Sequence, residues 1–206
     1  RFYPVFSLLV SFPFLSVSQS ITVADSVFFH YEDTLKKIAP LVLAAPTEAE
    51  RIIYNHKLER TLLNVLEKPN SFFFPFDSLK TIARLTSPDH RFRIFNWSIP
   101  HEDGTYEYSG IIQEFDKKKK ITTLFILYDR SAKTERPQQQ VLSSENWYGA
   151  LYYTLLLNKK RGKRFYTLLG WKGYSQKTTK KIIEILQFTQ DGTPSFGAPV
   201  FKMNQD

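Results

Sequence analysis

The densest acid–base cluster in this sequence is His101-Glu102-Asp103, which opens a Glu-Asp-Gly-Thr turn. Two carboxylates beside an aromatic ring are the equipment a glycoside hydrolase needs. The same residues also make an ordinary hairpin turn, because Asp and Gly accept the conformations that reverse a chain. The second concentration of chemistry is cationic. Lys117, Lys118, Lys119 and Lys120 form one run, and Lys159, Lys160, Arg161, Lys163 and Arg164 form another. Brought together, nine cations would attract acidic polysaccharide, lipid headgroups or nucleic acid. Kept apart, they would only keep hairpin turns soluble.

Residue types exclude other chemistries. The chain has no cysteine, so disulfides, thiol catalysis, thiolate-bound zinc and iron–sulfur clusters are ruled out. The four histidines, His30, His56, His90 and His101, lack metal-ligand spacing. His90 and His101 bracket one strand-like stretch, which at about 3.3 Å per residue holds them more than about 30 Å apart. No Gly-x-Ser-x-Gly, phosphate-loop or dinucleotide motif occurs, so neither metal nor cofactor is expected. The formal net charge of +8 is accompanied by no nucleic-acid-binding motif, so nucleic acid is not specifically indicated.

Val5 to Val17 is an apolar run interrupted by Pro13, and Ser16-Val17-Ser18 at its end supplies small residues. A membrane-spanning helix needs about 20 residues, so this run fits the core of a secretory signal, with cleavage before Gln19. Export to the periplasm, the outer membrane or the medium is the expectation, with no transmembrane segment. Absence of cysteine suits a bacterial envelope protein of this size.

The elements that must position these groups follow from periodicity. Apolar residues recur at helical steps from Ala24 to Leu43, with Pro40 and Pro46 obscuring the end. Thr47-Glu48-Ala49-Glu50 is a capping-box pattern, and Ile53, Leu58, Leu62, Val65 and Leu66 then give one apolar face. Residues 19–70 therefore read as a helical hairpin. Beyond Ser71, turn chemistry separates strands near 91–99, 106–115, 121–129, 147–157, 164–171, 180–188 and 195–201.

The fold class expected is α+β. The hairpin packs on an antiparallel meander of about seven strands over residues 71–206, which can curl into a partial barrel. Strands 121–129 and 147–157 are apolar on both faces, which predicts cover on both sides. Trp97 and Trp147 read as core, and Tyr153 shares a face with Trp147. Asn96-Trp97-Ser98 matches a glycosylation sequon but falls inside a strand.

In a meander, alternate turns share an end. His101, Glu102 and Asp103 should then lie near Trp171, Lys172 and the 130–146 loop. The two cationic runs should meet at the opposite end.

Several motifs in order carry a resemblance. They are Ser71-Phe72-Phe73-Phe74-Pro75-Phe76-Asp77-Ser78-Leu79, Phe92-Arg93-Ile94-Phe95-Asn96-Trp97, Asn146-Trp147-Tyr148-Gly149-Ala150-Leu151-Tyr152-Tyr153, Leu168-Leu169-Gly170-Trp171 and Phe196-Gly197-Ala198-Pro199-Val200-Phe201. Over residues 60–202 the chain resembles a family of uncharacterised exported proteins from bacteria with an outer membrane. The resemblance implies export and a C-terminal continuation of the natural chain; because the sequence begins with Arg and not Met, its natural start is also expected upstream. It brings no catalytic residue. The expected function is a non-catalytic envelope or secreted domain that binds or scaffolds, with unknown ligand. The alternatives are a carbohydrate-directed hydrolase at the His101 end and electrostatic attachment to anionic lipid or polymer.

Overall fold

The computed structural model describes residues 23–160, 162–173 and 178–198. The expected signal segment, Arg161 and residues beyond 198 lie outside them. Helix α1 (Val23–Ala44) buries Phe28, Leu35, Ala39 and Val42 on one face and runs through Pro40. Helix α2 (Glu48–Leu66) starts at the expected capping box. Thr47 Oγ1 accepts the Glu50 amide at 3.2 Å, and Glu50 Oε2 accepts the Thr47 amide at 3.1 Å.

The rest of the chain forms two antiparallel sheets, so the α+β class holds. The first contains β1 (Ala83–Thr86), β2 (Phe92–Pro100), β3 (Tyr106–Asp116) and β4 (Ile121–Tyr128) in chain order. The second contains β5 (Leu142–Ser143), β6 (Leu151–Lys160), β7 (Lys163–Gly173), β8 (Thr179–Phe188) and β9 (Pro194–Phe196). Its spatial order is β5-β9-β8-β7-β6. The meander is thus divided where residues 129–141 leave the β4 edge, and the two sheets stack instead of closing into a barrel.

Three layers result. Phe95, Trp97, Ile99 and Ile111 of the first sheet pack against the helices. Phe92, Ile94, Ile112 and Leu127 pack against Tyr152, Tyr166, Leu168, Leu186 and Phe196 of the second sheet. The doubly covered strands are therefore β2 and much of β3, where β4 and β6 had been expected. β4 and β6 are edge strands, so Ile121, Tyr128, Leu156 and Tyr153 reach solvent.

The pairing of Trp147 with Tyr153 also fails. Trp147 lies before β6 and is fully buried, but a bulge between Tyr152 and Thr154 shifts the alternation. Tyr152 turns inward and Tyr153 is 52% exposed.

Polar groups lock the layers together. Trp97 Nε1 donates to Asn55 Oδ1 of α2 at 2.6 Å. The sequon residue Asn96 is wholly buried and donates to the Ala150 carbonyl at 2.8 Å. Arg93 is buried and spans three acceptors: Gln113 Oε1 at 2.7 Å, the Phe74 carbonyl at 2.7 Å and the Ser71 carbonyl at 2.5 Å. Burial pushes its pKa down to about 9, so it stays charged at neutral pH. Among the described residues no helix is long and apolar enough to cross a membrane.

Candidate functional site

Turn parity survives the division into two sheets, because the sheets stack with their hairpins aligned. At one end, the β2–β3 turn meets the start of α2. His101 Nδ1 lies 2.9 Å from Glu48 Oε1, and the Glu102 amide donates to Glu48 Oε2 at 2.9 Å. The Glu48 amide donates back to Glu102 Oε1 at 3.3 Å. These hydrogen bonds, the Glu102 amide foremost, hold the Glu48 carboxyl below its ordinary range. Asp103 Oδ1 accepts from the Thr105 amide at 2.8 Å and from its hydroxyl at 2.7 Å, which lowers the Asp103 carboxyl in turn. Trp171 stands edge-on to Tyr106 at 5.2 Å, next to the same turn. Trp171 therefore lies at the same end of the sheets as His101, Glu102 and Asp103, packed on Tyr106 between the two sheets. His101 and Glu102 thus join the turn to α2, and Asp103 closes the turn on Thr105.

At the opposite end, the two cationic runs meet on Asp89. Lys117 Nζ donates to the Asp89 carbonyl at 3.2 Å. Arg164 Nη1 and the Tyr166 hydroxyl both reach Asp89 Oδ2 at 3.0 Å. Burial opposes the Asp89 charge, but hydrogen bonds from Ser87, Tyr166 and Arg164 outweigh it and hold the carboxyl low. Around this clasp Lys117, Lys118, Lys119, Lys120, Lys159, Lys160, Lys163 and Arg164 are all exposed. Asp116 caps the first turn through the Lys118 and Lys119 amides at 2.8 and 3.1 Å, and its Oδ2 also lies 4.0 Å from Lys119 Nζ.

A third constellation lies between the sheets. Lys172 is only 4% exposed. Its Nζ donates to Ser131 Oγ at 3.0 Å and to the Tyr148 and Gly149 carbonyls, each at 2.9 Å. Asp129 Oδ2 stands 3.6 Å away and accepts the Tyr108 amide at 3.1 Å. Gly149 has φ +74, and a Cβ there would collide with the Asp129 carboxylate, so only glycine lets this turn close on the pair. Beside it, Trp147 Nε1 donates to the Tyr152 hydroxyl at 2.7 Å, and that hydroxyl donates to Glu184 Oε2. Burial pushes the Glu184 carboxyl up to about 7, against the opposing pull of Tyr152 and Lys172.

Asp129, Glu184 and the two tyrosines were missed in the sequence, and Lys172 was placed at this end but not inside it. One signal was available. Leu168, Gly170 and Lys172 alternate on β7, so Lys172 continues an inward-facing row.

Next to this network the 130–146 segment walls an open cleft of about 570 Å³, lined by Arg130, Lys133, Gln140 and Asn146 among others. Among the described residues no group of three or more histidine or acidic side chains is placed to hold a metal. In comparisons with known proteins, no family model, no curated protein and no solved structure matches the chain.

Proposed function

We propose that this chain is a non-catalytic, exported envelope or secreted domain that attaches to a polyanion through its Asp89 end. The observation that carries the reading is the clasp on Asp89, which gathers two lysine-rich hairpin tips about forty residues apart in sequence. Fields from charges gathered within a Debye length, about 8 Å at physiological salt, reinforce one another, whereas isolated turns act singly. Export rests on the apolar segment preceding Gln19.

The test is retention on immobilised heparin and on vesicles of phosphatidylglycerol across a salt series. Binding should weaken steeply with salt. Changing Lys117–Lys120, Lys159, Lys160 and Lys163 together to Gln should abolish most of it. Arg164 is left in place because it holds Asp89. Changing the exposed Lys36 and Lys37 on α1 should matter little. Equal losses from both sets would overturn the reading. Heparin retention without vesicle binding would identify an acidic polysaccharide as the partner, and the reverse a lipid headgroup.

A further inference from the structure

The second sheet is the outermost layer, and among the described residues no helix or strand packs on its far side. Register and alternation show what that side carries. Tyr166, Leu168 and Leu186 point into the core between the sheets, so Thr167, Leu169 and Ile183 point away from it. Leu156 pairs with Thr167, and the Asn158 side-chain amide donates to Thr167 Oγ1 at 3.0 Å, which puts Leu156 and Asn158 on the same side. Tyr153, turned outward at the bulge, reaches across β7, and Lys181 Nζ of β8 lies over its ring at 5.4 Å. Tyr153, Leu156 and Ile183 are 52%, 49% and 62% exposed, and half-buried Leu169 on β7 lies between them.

The charge on this face has one sign. Alternation carries the row of Leu156 and Asn158 on to Lys160, and the row of Leu169 and Thr167 back to Lys163. These two lysines are exposed and pair with each other across the hairpin. They bound the apolar patch at one end, and exposed Lys181 bounds it at the other. Between Leu151 and Phe188 the sequence holds nine lysines and arginines and one acid, Glu184. Glu184 stands opposite Leu168 and accepts the Tyr152 hydroxyl, so its carboxyl belongs to the side between the sheets. The three strands β6, β7 and β8 therefore add no carboxylate to the outer face.

From this juxtaposition we infer that the outer face of β6, β7 and β8 docks flat on an anionic lipid bilayer. The inference rests on the attachment to a polyanion proposed above and names lipid as its source. A bilayer surface matches both halves of the face. Its headgroup phosphates meet Lys160, Lys163 and Lys181, and its acyl boundary takes Tyr153, Leu156 and Ile183. A tyrosine ring, apolar with a polar tip, suits that boundary. An acidic polysaccharide would satisfy the cations and leave the three apolar side chains in water. A second copy of the face would set cations against cations with no carboxylate between them.

The experiment compares vesicles of phosphatidylglycerol, vesicles of phosphatidylcholine and immobilised heparin. The chain should bind the anionic vesicles at least about tenfold more tightly than the neutral ones. Changing Tyr153, Leu156 and Ile183 together to Thr should weaken anionic-vesicle binding at least about tenfold and leave heparin retention unchanged. Threonine keeps strand propensity at these exposed positions, and circular dichroism and the melting temperature verify the fold. A second readout does not depend on that variant. The chain has no cysteine, so Ile183→Cys carries a single environment-sensitive dye. Its emission should shift to the blue on anionic vesicles. The same dye at Ile53→Cys, exposed on α2 in the opposite layer, should not respond. Vesicle binding indifferent to the threonine variant, a silent Ile183 dye, or an equal response from Ile53 would overturn docking through this face, even with heparin retention intact. A blue shift at Ile183 without vesicles, growing with protein concentration, would identify a second copy as the occupant and overturn the lipid assignment. Heparin retention that survives glutamine at both lysine-rich tips would overturn the Asp89 reading, while the dye still decides the face.

Discussion

Lys172 Nζ lies 3.6 Å from Asp129 Oδ2, with side chains 5% and 4% exposed, at the seam between the two sheets. Burial lowers the Lys172 pKa and the Asp129 charge opposes that shift, so the pair is held by mutual need. Asp129→Ala should cost about 3–5 kcal/mol, because it strands a buried cation. Asp129→Ala with Lys172→Met should cost less than the sum of the single changes. Urea unfolding of the three variants measures this. Strict additivity would mean that the two side chains do not support one another.

Glu184 makes stability depend on pH in an unusual window. Its carboxyl titrates at about 7 in the folded chain against an ordinary 4.5. Between those values the folded form holds a proton that the unfolded form has lost, so stability falls as pH rises through the window. The fall should reach at most about 3 kcal/mol, since each pKa unit is worth about 1.4 kcal/mol. Glu184→Gln should flatten the profile between about pH 5 and pH 8. Chemical denaturation at stepped pH reads the slope directly. A wild-type profile already flat there would contradict this assignment.

Arg93 should not tolerate lysine. Its fork serves Gln113 and the Ser71 and Phe74 carbonyls together, a reach one ammonium cannot reproduce. Arg93→Lys should cost about 2–3 kcal/mol and Arg93→Ala about 3–5 kcal/mol, because buried acceptors lose their donors. Hydrogen exchange should report loosening centred on residues 71–76. Loosening spread evenly over the second sheet would count against the role.

Trp147 and Tyr153 should behave oppositely. Trp147→Ala should cost about 3–5 kcal/mol, since it empties a packed site between the sheets and removes the donor to Tyr152. Tyr153→Ala should change stability by less than about 1 kcal/mol, because the ring stands on the outer surface of β6. Thermal unfolding of the two variants decides. Comparable losses would mean that the bulge at Tyr152 is absent.

Local chemistry determined the elements. Thr47 and Glu50 announce the start of α2 because a capping box is satisfied within four residues. Glu-Asp-Gly-Thr and the Asp116–Lys120 run announce their turns for the same reason, and the strands that flank them, β2, β3 and β4, appear within one residue of their sequence positions, whereas β6 begins four residues later than its sequence position. Even the meeting of Lys117 with Arg164 follows from turn parity. Tertiary structure alone decided which layer each face would meet. β4 and β6 read as apolar on two sides, yet they end as edge strands and β2 is the strand covered on both faces, because covering depends on how residues 129–141 redirect the chain. The Asp129–Lys172 pair and Glu184 were hidden for the same reason. A charged residue in an alternating strand is legible as inward or outward only once its partner sheet is in place. The partners of Lys172, forty-three residues away at Asp129, are brought to it by stacking and not by local propensity.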